Sequence, residues 1–385
     1  MSYRVFISAA EPSADAHCAG LITALKQGGC EIEFVGVGGP KMAAAGCQLL
    51  ETTADKAVMT YNAFSHIAYF YNLIKRINNF LKNNKTDLVI VCDSPAFNFH
   101  VAKAAKKIGI KTLFYVAPQL WAWAEWRIRK LRKYCDKLCC ILPFEQEWFA
   151  SRGIDVTFVG NPLLDETVAD LGSYIKRYID FEPKRALIAL MPGSRDAEIN
   201  SLWAPMQQTA VRIKRKYPDV TFTAVAVDEK RKDVLKSIQA VGLKCRYAAG
   251  SVAEIARQSD FAIVASGSAT LQAAAAGCPM VIMYQSNKII WHLLGRWLVK
   301  TKYLSLVNIL AGRELVPEFM PYFSSIEPIA NAVCQLLGDR DKLLQLSGEL
   351  IKLAGPLRQG NASENTAGIV IGMLNGSKIC EHPKE

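Results

Sequence analysis

Residues 87–98 read DLVIVCDSPAFN, and residues 187–198 read LIALMPGSRDAE. Each is a short run of branched apolar residues that ends abruptly in a turn rich in Pro, Ser and charge. Such a run, without polar alternation, is the pattern of a strand buried on both faces of a parallel sheet. Outward from the first lie VFISAA (5–10) and EFVGVGG (33–39); outward from the second lie TFTAVAV (221–227), FAIVASGSAT (261–270) and PMVIMYQ (279–285), all separated by helical stretches. Alternation of this kind predicts α/β architecture with parallel strands joined by right-handed crossovers. Two such series predict two Rossmann-like doubly wound domains, 1–165 and 185–345, facing each other across a cleft. The remaining segment, 346–385, reads as helical to about Leu374 and could return to the first domain.

The bulk properties agree with a folded, multi-core chain. Of 385 residues, 51% are hydrophobic and 21% charged, which argues against disorder. No run approaches the roughly 18 to 20 apolar residues that cross a bilayer, and Tyr3 leads directly into a strand, so a cytosolic protein is expected. Eleven cysteines, with Cys139 and Cys140 adjacent, form neither a disulfide framework nor paired metal-ligand motifs and read as reduced core thiols. A net charge of +11 implies an anionic partner: nucleic acid, a phosphorylated substrate or an acidic membrane.

Ligands of doubly wound sheets bind beyond the carboxyl ends of the strands. Three such ends in the first half carry chemistry: Glu11, Ser13 and Asp15 after the first strand, Gly38 and Gly39 after the second, and Asp93 after DLVIVC. A carboxylate there suits a general base toward a sugar hydroxyl, while helix capping by Asp15 and Asp93 is the competing reading. In the second half, the PGSR turn offers backbone N–H groups, Ser194 and Arg195 to a phosphate. ASGSAT offers Ser266, Gly267, Ser268 and Thr270 at a helix N-terminus. Two such turns at strand ends predict a diphosphate site. Walker, GxGxxG and HExxH patterns are absent, which removes support for ATPase, dinucleotide and zinc-protease readings. His17, His66, His100 and His292 read as structural or solvated.

Two aromatic stretches suggest membrane contact. One is the helix carrying Tyr61, Phe64, Ile67, Phe70, Tyr71, Ile74, Ile77 and Leu81. In the other, Trp291, Leu294, Trp297 and Leu298 alternate with Lys288, Arg296, Lys300 and Lys302. Burial between domains is the other reading. A basic run from Arg127 to Lys137 follows WAWAEW, but no nucleic-acid module surrounds it.

AAEPSAD, FVGVGGPKM, CDSPAFN, APQLWAW, LPFE (142–145), FVGNPLLDE, MPGSR, ASGSATL and KTKYLSLVNILAGRELVPEF (300–319) occur in the order found in lipid-A-disaccharide synthases, which the chain resembles over nearly its whole length. The resemblance implies a GT-B glycosyltransferase that inverts the anomeric carbon and uses neither metal nor cofactor. It implies UDP-2,3-diacylglucosamine as donor and 2,3-diacylglucosamine 1-phosphate as acceptor. Asp93 would be the base, with Glu11 and Asp15 beside it. Ser13, Gly38, Gly39, Gln119, Trp121 and Asn161 would bind substrate in the first domain. Ser194, Arg195, Ser266, Gly267, Ser268, Thr270, Asn308, Glu314 and Glu318 would hold the nucleotide. It further implies a peripheral protein on the cytoplasmic face of the inner membrane, no nucleic-acid partner, and room for a homodimer. The chain departs from the family pattern at Ala10 and Ala14 (glycines), Thr60 (glycine), Ala96 (aspartate), Ala124 (arginine) and Gln272 (glutamate). A diverged acceptor, a non-catalytic paralogue and a sugar-nucleotide epimerase are the alternatives.

Overall fold

The computed structural model describes residues 2–29, 31–53, 63–165, 178–250, 252–288, 291–292, 299, 301–358 and 360–379. It divides into two α/β units, one comprising Met1–Asp165 with Leu357–Glu385 and the other Glu166–Pro356.

The first unit is built on β1 (Tyr3–Ala9), β2 (Ile32–Gly38), β3 (Gln48–Thr52), β4 (Leu88–Cys92), β5 (Lys111–Tyr115), β6 (Lys137–Cys140) and β7 (Val156–Phe158). All pair in parallel, in the order β3-β2-β1-β4-β5-β6-β7. Leu88, Ile90 and Cys92 enter one core, while Val89 and Val91 enter the core on the opposite face. This two-sided burial explains why LVIVC carries no polar residue, since successive side chains point to opposite faces.

The second unit contains β8 (Leu187–Met191), β9 (Thr221–Ala226), β10 (Cys245–Ala249), β11 (Phe261–Ala265), β12 (Met280–Met283) and β13 (Glu318–Phe319), in the order β10-β9-β8-β11-β12-β13, again parallel. In each sheet the chain winds one way from its first strand and then the other way, so the topological switch points are β1/β4 and β8/β11. Crevices at such points are where this fold takes ligands. The expected class, two doubly wound parallel sheets, is the one observed.

The C-terminal segment is shared between the units. Helix Arg340–Ala354 belongs to the second unit, where the Ser347 hydroxyl donates to the Gly277 carbonyl. Helix Ala362–Ile379 packs on helix Pro12–Gln27 in the first. Gly20 makes that approach possible, because a Cβ there would lie 2.9 Å from Ser363 Oγ. Within the first unit, the returning chain is tied by Asn161 N to the Leu357 carbonyl at 2.9 Å and by Ala362 N to Asp165 Oδ1 at 3.0 Å.

The aromatic helix expected at a membrane is a core element wherever it is described. Leu73, Ile77 and Leu81 are buried, Phe70 packs on Phe97 with ring centroids 5.2 Å apart, and Phe80 packs on Phe6 at 5.8 Å. Its broad apolar arc meets both the sheet and helix Pro95–Lys107, leaving Tyr71 exposed. Tyr61 and the side chains of Phe64 and Ile67 lie outside the described residues, as do Thr60, Leu294, Arg296, Trp297, Leu298 and Lys300.

Val370 and Leu374 of the returning helix are fully buried in the first unit's core. Leu374→Ala should therefore lower the unfolding free energy of that unit by about 2–5 kcal/mol. Chemical denaturation checks this, and an unchanged midpoint would contradict the packing.

Candidate active site

At the β1/β4 switch point, Glu11 enters helix Pro12–Gln27 from an extended conformation, and Asp93 follows β4. Asp93 and Ser94 have left-handed φ values of 49° and 42°, and Val116, after neighbouring β5, has 61°. No other non-glycine among the described residues has positive φ. Such conformations cost roughly 1–2 kcal/mol each, and they tend to persist where surrounding bonds impose them at functional sites.

Here the bonds come from Asn98. Its side-chain N–H groups donate to the carbonyls of Cys92 and Asp93, both at 2.8 Å, and its carbonyl oxygen accepts from Ser8 Oγ at 2.7 Å. The Ser94 hydroxyl, turned toward β1 by the same bend, donates to Glu11 Oε1 at 3.1 Å. Glu11 and Asp93, both half-buried, thus sit on either side of one short turn.

The other first-unit candidates divide into exposed and interior groups. Ser13 and Gln119 are exposed. Asp15, expected to be catalytic, is 2% exposed. Its carboxylate accepts from the backbone N–H groups of Gly39, Lys41 and Met42 at 2.8, 3.1 and 3.0 Å. The free N–H groups at the start of helix Pro40–Ala44 therefore consume it, and it acts as a brace rather than a proton carrier. Gly38 and Gly39 belong to that brace: a Cβ on Gly38 would fall 2.4 Å from Met42 Sδ, and the Gly39 N–H is spent on Asp15.

Trp121, expected to touch substrate, turns its indole N–H inward to Glu145 Oε1 at 2.9 Å. Asn161 is also interior; its Oδ1 caps the turn Pro162–Leu164, and its Nδ2 is buried without a partner among the described residues.

In the second unit the two expected anion turns follow β8 and β11, which are hydrogen-bonded neighbours. The turn after β8 already holds an anion of its own. Glu198 Oε2 accepts from Ser194 N at 2.9 Å and Arg195 N at 3.2 Å, so these N–H groups are not available to a phosphate as expected. Gly193, at φ 109°, is required there because its Cβ would lie 2.3 Å from that oxygen. The Arg195 guanidinium touches Glu198 at 3.1 Å, yet its side chain is 68% exposed. The Ser194 side chain is exposed as well.

After β11, Gly267 and Ser268 are exposed and Ser266 half-buried at the start of helix Ser268–Ala275. Thr270 is buried and donates to the Gly267 carbonyl at 2.7 Å, so it shapes the turn and does not offer a hydroxyl to ligand.

Asn308 and Glu318, expected in the nucleotide pocket, are largely bound to each other and to the chain around them. Glu318 accepts from Leu304 N, Ser305 N, Ser305 Oγ and Asn308 Nδ2, while Asn308 Oδ1 accepts from Leu315 N and Val316 N. Glu314 is exposed.

Three residues that matter here were not singled out from sequence: Asn98, Glu145 and Glu198. The signal for the two acids was spacing, since each stands three positions after the residue preceding its helix and accepts that residue's backbone N–H. Burial drives the Glu145 carboxyl up to about 7 despite N–H donors from Trp121, Leu142 and Ile141, with the charge of Asp93 adding to the rise. His17 is pushed down to about 4, by burial first and then by Lys41. The departures at Ala10, Ala14 and Ala124 place methyl groups inside the cores.

The model of the lipid-A-disaccharide synthetase family matches residues 5–368. Lipid-A-disaccharide synthases from Geobacter metallireducens and Nitrosococcus oceani are 31% and 32% identical, over 96% and 97% of this chain and 97% of each relative. The chain belongs to this family. It is thereby a glycosyltransferase.

Among solved structures, similarity to S. aureus MnaA in a co-structure with UDP (TM-score 0.62, 16% identity) covers 100% of this chain and 99% of that one. Similarity to Neisseria meningitidis UDP-GlcNAc 2-epimerase bound to UDP-GlcNAc (0.62, 14%) covers 98% and 100%. The spinosyn rhamnosyltransferase SpnG complexed with thymidine diphosphate (0.59, 12%) covers 96% and 100%. At these identities the likeness concerns fold alone, and it groups the synthetase family with epimerases and glycosyltransferases.

Glu145 generates a pH prediction. Its folded pKa of about 7 exceeds the ordinary 4.5, so the fold prefers the protonated acid. That contribution is complete below about 4.5 and is lost as pH rises through about 7. In thermal unfolding from pH 4 to 8, Glu145→Gln should flatten the decline across this window. An identical pH profile in the variant would contradict the assignment.

Proposed function

We propose that the chain transfers 2,3-diacylglucosamine from UDP-2,3-diacylglucosamine to 2,3-diacylglucosamine 1-phosphate with inversion, releasing UDP and lipid A disaccharide 1-phosphate. The first unit takes the acceptor and the second takes the nucleotide. The observation that carries the reading is the Glu11–Ser94–Asp93 turn at the β1/β4 switch point, a strained acidic turn in a family of glycosyltransferases.

Asp93 accepts the proton of the attacking 6-hydroxyl as its oxygen bonds to the anomeric carbon. The bond from that carbon to the diphosphate breaks, and the electron pair leaves with UDP. Positive charge on the sugar ring is transient, as in other glycosyl transfers. Glu11, through Ser94, holds the turn in place. Arg195 and the helix start at Ser266–Ser268 stabilise the charge that grows on the diphosphate, where fixed donors act most strongly in the transition state. Because Glu198 occupies the backbone N–H groups after β8, the guanidinium is the contact that turn can offer. Glu314 is the remaining exposed acid for the ribose hydroxyls. The acylated substrates place the enzyme peripherally at the cytoplasmic face of the inner membrane.

The fold likeness to 2-epimerases keeps a second reading in view: a UDP-sugar epimerase works without an acceptor. Incubation with the UDP-sugar, with and without acylated glucosamine phosphate, separates them. UDP release only with acceptor supports transfer, whereas a new hexose without acceptor contradicts it. Asp93→Asn should lower turnover by about 10²- to 10⁴-fold with UDP affinity retained. Arg195→Ala should lower it by about 10²- to 10³-fold. Unchanged rate in either variant refutes that residue's role.

A further inference from the structure

The sequence reading placed membrane contact on two stretches; in the first Leu73, Ile77 and Leu81 are buried and Tyr71 is exposed, and much of the second lies outside the described residues. Among the described residues of the first unit, two further exposed aromatics lie together elsewhere. Trp123 is 43% and Trp126 63% exposed, unusual for indoles on a soluble surface. They follow β5 through the short helix Leu120–Trp123, at the same end of the sheet as Asp93. The Arg127 guanidinium lies over both rings, 5.1 Å from one centroid and 5.0 Å from the other.

Beyond it, Trp126, Arg129, Lys130 and Lys133 recur at i, i+3, i+4 and i+7, the spacing of one helical face, and all are exposed, while Leu131 faces the core. Lys130 and Lys103 of the adjoining helix both act on His100 and hold it below its ordinary value, after burial, so the positive field continues across that helix. The nearby acids are already paired, Glu125 with Arg152 and Asp136 with Lys106.

We infer that the indoles of Trp123 and Trp126, with the cations of Arg127, Arg129, Lys130 and Lys133, form the surface on which the first unit docks to an anionic bilayer. The inference rests on the reading that the substrates are acylated. Indoles seat at the boundary between headgroups and acyl chains, and basic side chains beside them meet anionic headgroups. Nucleic acid is disfavoured because these residues lie in a glycosyltransferase-family α/β unit and in none of the common nucleic-acid-binding modules. The placement brings a lipid surface to the strand ends proposed for the acceptor, shortening the path of a lipid-anchored sugar.

Flotation of the full chain with phosphatidylethanolamine vesicles, with and without phosphatidylglycerol, provides the test. The wild type should float with the anionic vesicles at low salt. Replacing Arg129, Lys130 and Lys133 by Gln together should weaken this roughly 100-fold, about fivefold per charge. Trp126→Ser should weaken it at low and high salt alike, and Tyr71→Ser on the aromatic helix should not.

UDP release from detergent-dispersed substrates should stay at the wild-type level in these variants, which also shows that they fold. The inference is overturned if the wild type ignores anionic vesicles, if the variants float as it does, or if they lose single-stranded RNA binding instead. Flotation that responds to the variants in a protein releasing no UDP would leave the surface standing and remove the glycosyl-transfer reading.

Discussion

The first unit depends on one buried carboxamide. Asn98 joins Ser8 on β1 to the last carbonyls of β4, and by doing so it holds Asp93 and Ser94 in a backbone conformation they would otherwise avoid. The two left-handed residues together cost roughly 2–4 kcal/mol. Each of the three hydrogen bonds returns about 0.5–1.5 kcal/mol, so the balance is close and the turn exists only while Asn98 is fully engaged. Its result is that the Ser94 hydroxyl, at the entry to helix Pro95–Lys107, reaches Glu11.

A second regularity runs through both units: carboxylates occupy many of the backbone N–H groups that a sequence reading would give to substrate. Asp15 fills the start of helix Pro40–Ala44, Glu145 the start of helix Pro143–Ala150, Glu198 the PGSR turn, and Glu318 the loop at Leu304 and Ser305. Each satisfies donors that would be left bare at a helix start or tight turn. The side chains proposed for the reaction are instead those of Asp93, Glu11, Arg195, Ser266, Ser268 and Glu314. In the proposed transfer, Asp93 of the first unit takes the proton and Arg195 of the second meets the departing phosphate charge.

Much of this was legible in the sequence. Runs such as LVIVC and FAIVA are buried on both faces, and that leaves a pattern no surface strand shares; the turns that end them name the ligand end of each sheet. What stayed hidden depends on three-dimensional neighbours. Asp15 looks the same in sequence whether it faces solvent or the N–H groups of residues 39, 41 and 42. Trp121 and Trp123 are two positions apart in one motif, yet one turns inward to Glu145 and the other outward beside Arg127. The apolar breadth of helix Ala63–Asn83 is equally compatible with lipid and with the Phe6 and Phe97 rings that it meets.

The most direct test of the account is a double-mutant cycle between Asn98 and Asp93, read as kcat and donor KM in the two-substrate assay. If Asn98 acts by positioning Asp93, Asn98→Ala lowers kcat at least about tenfold without changing donor KM, and adding it to Asp93→Asn costs nothing further. Wild-type kcat in Asn98→Ala, or losses that multiply in the double variant, would contradict it.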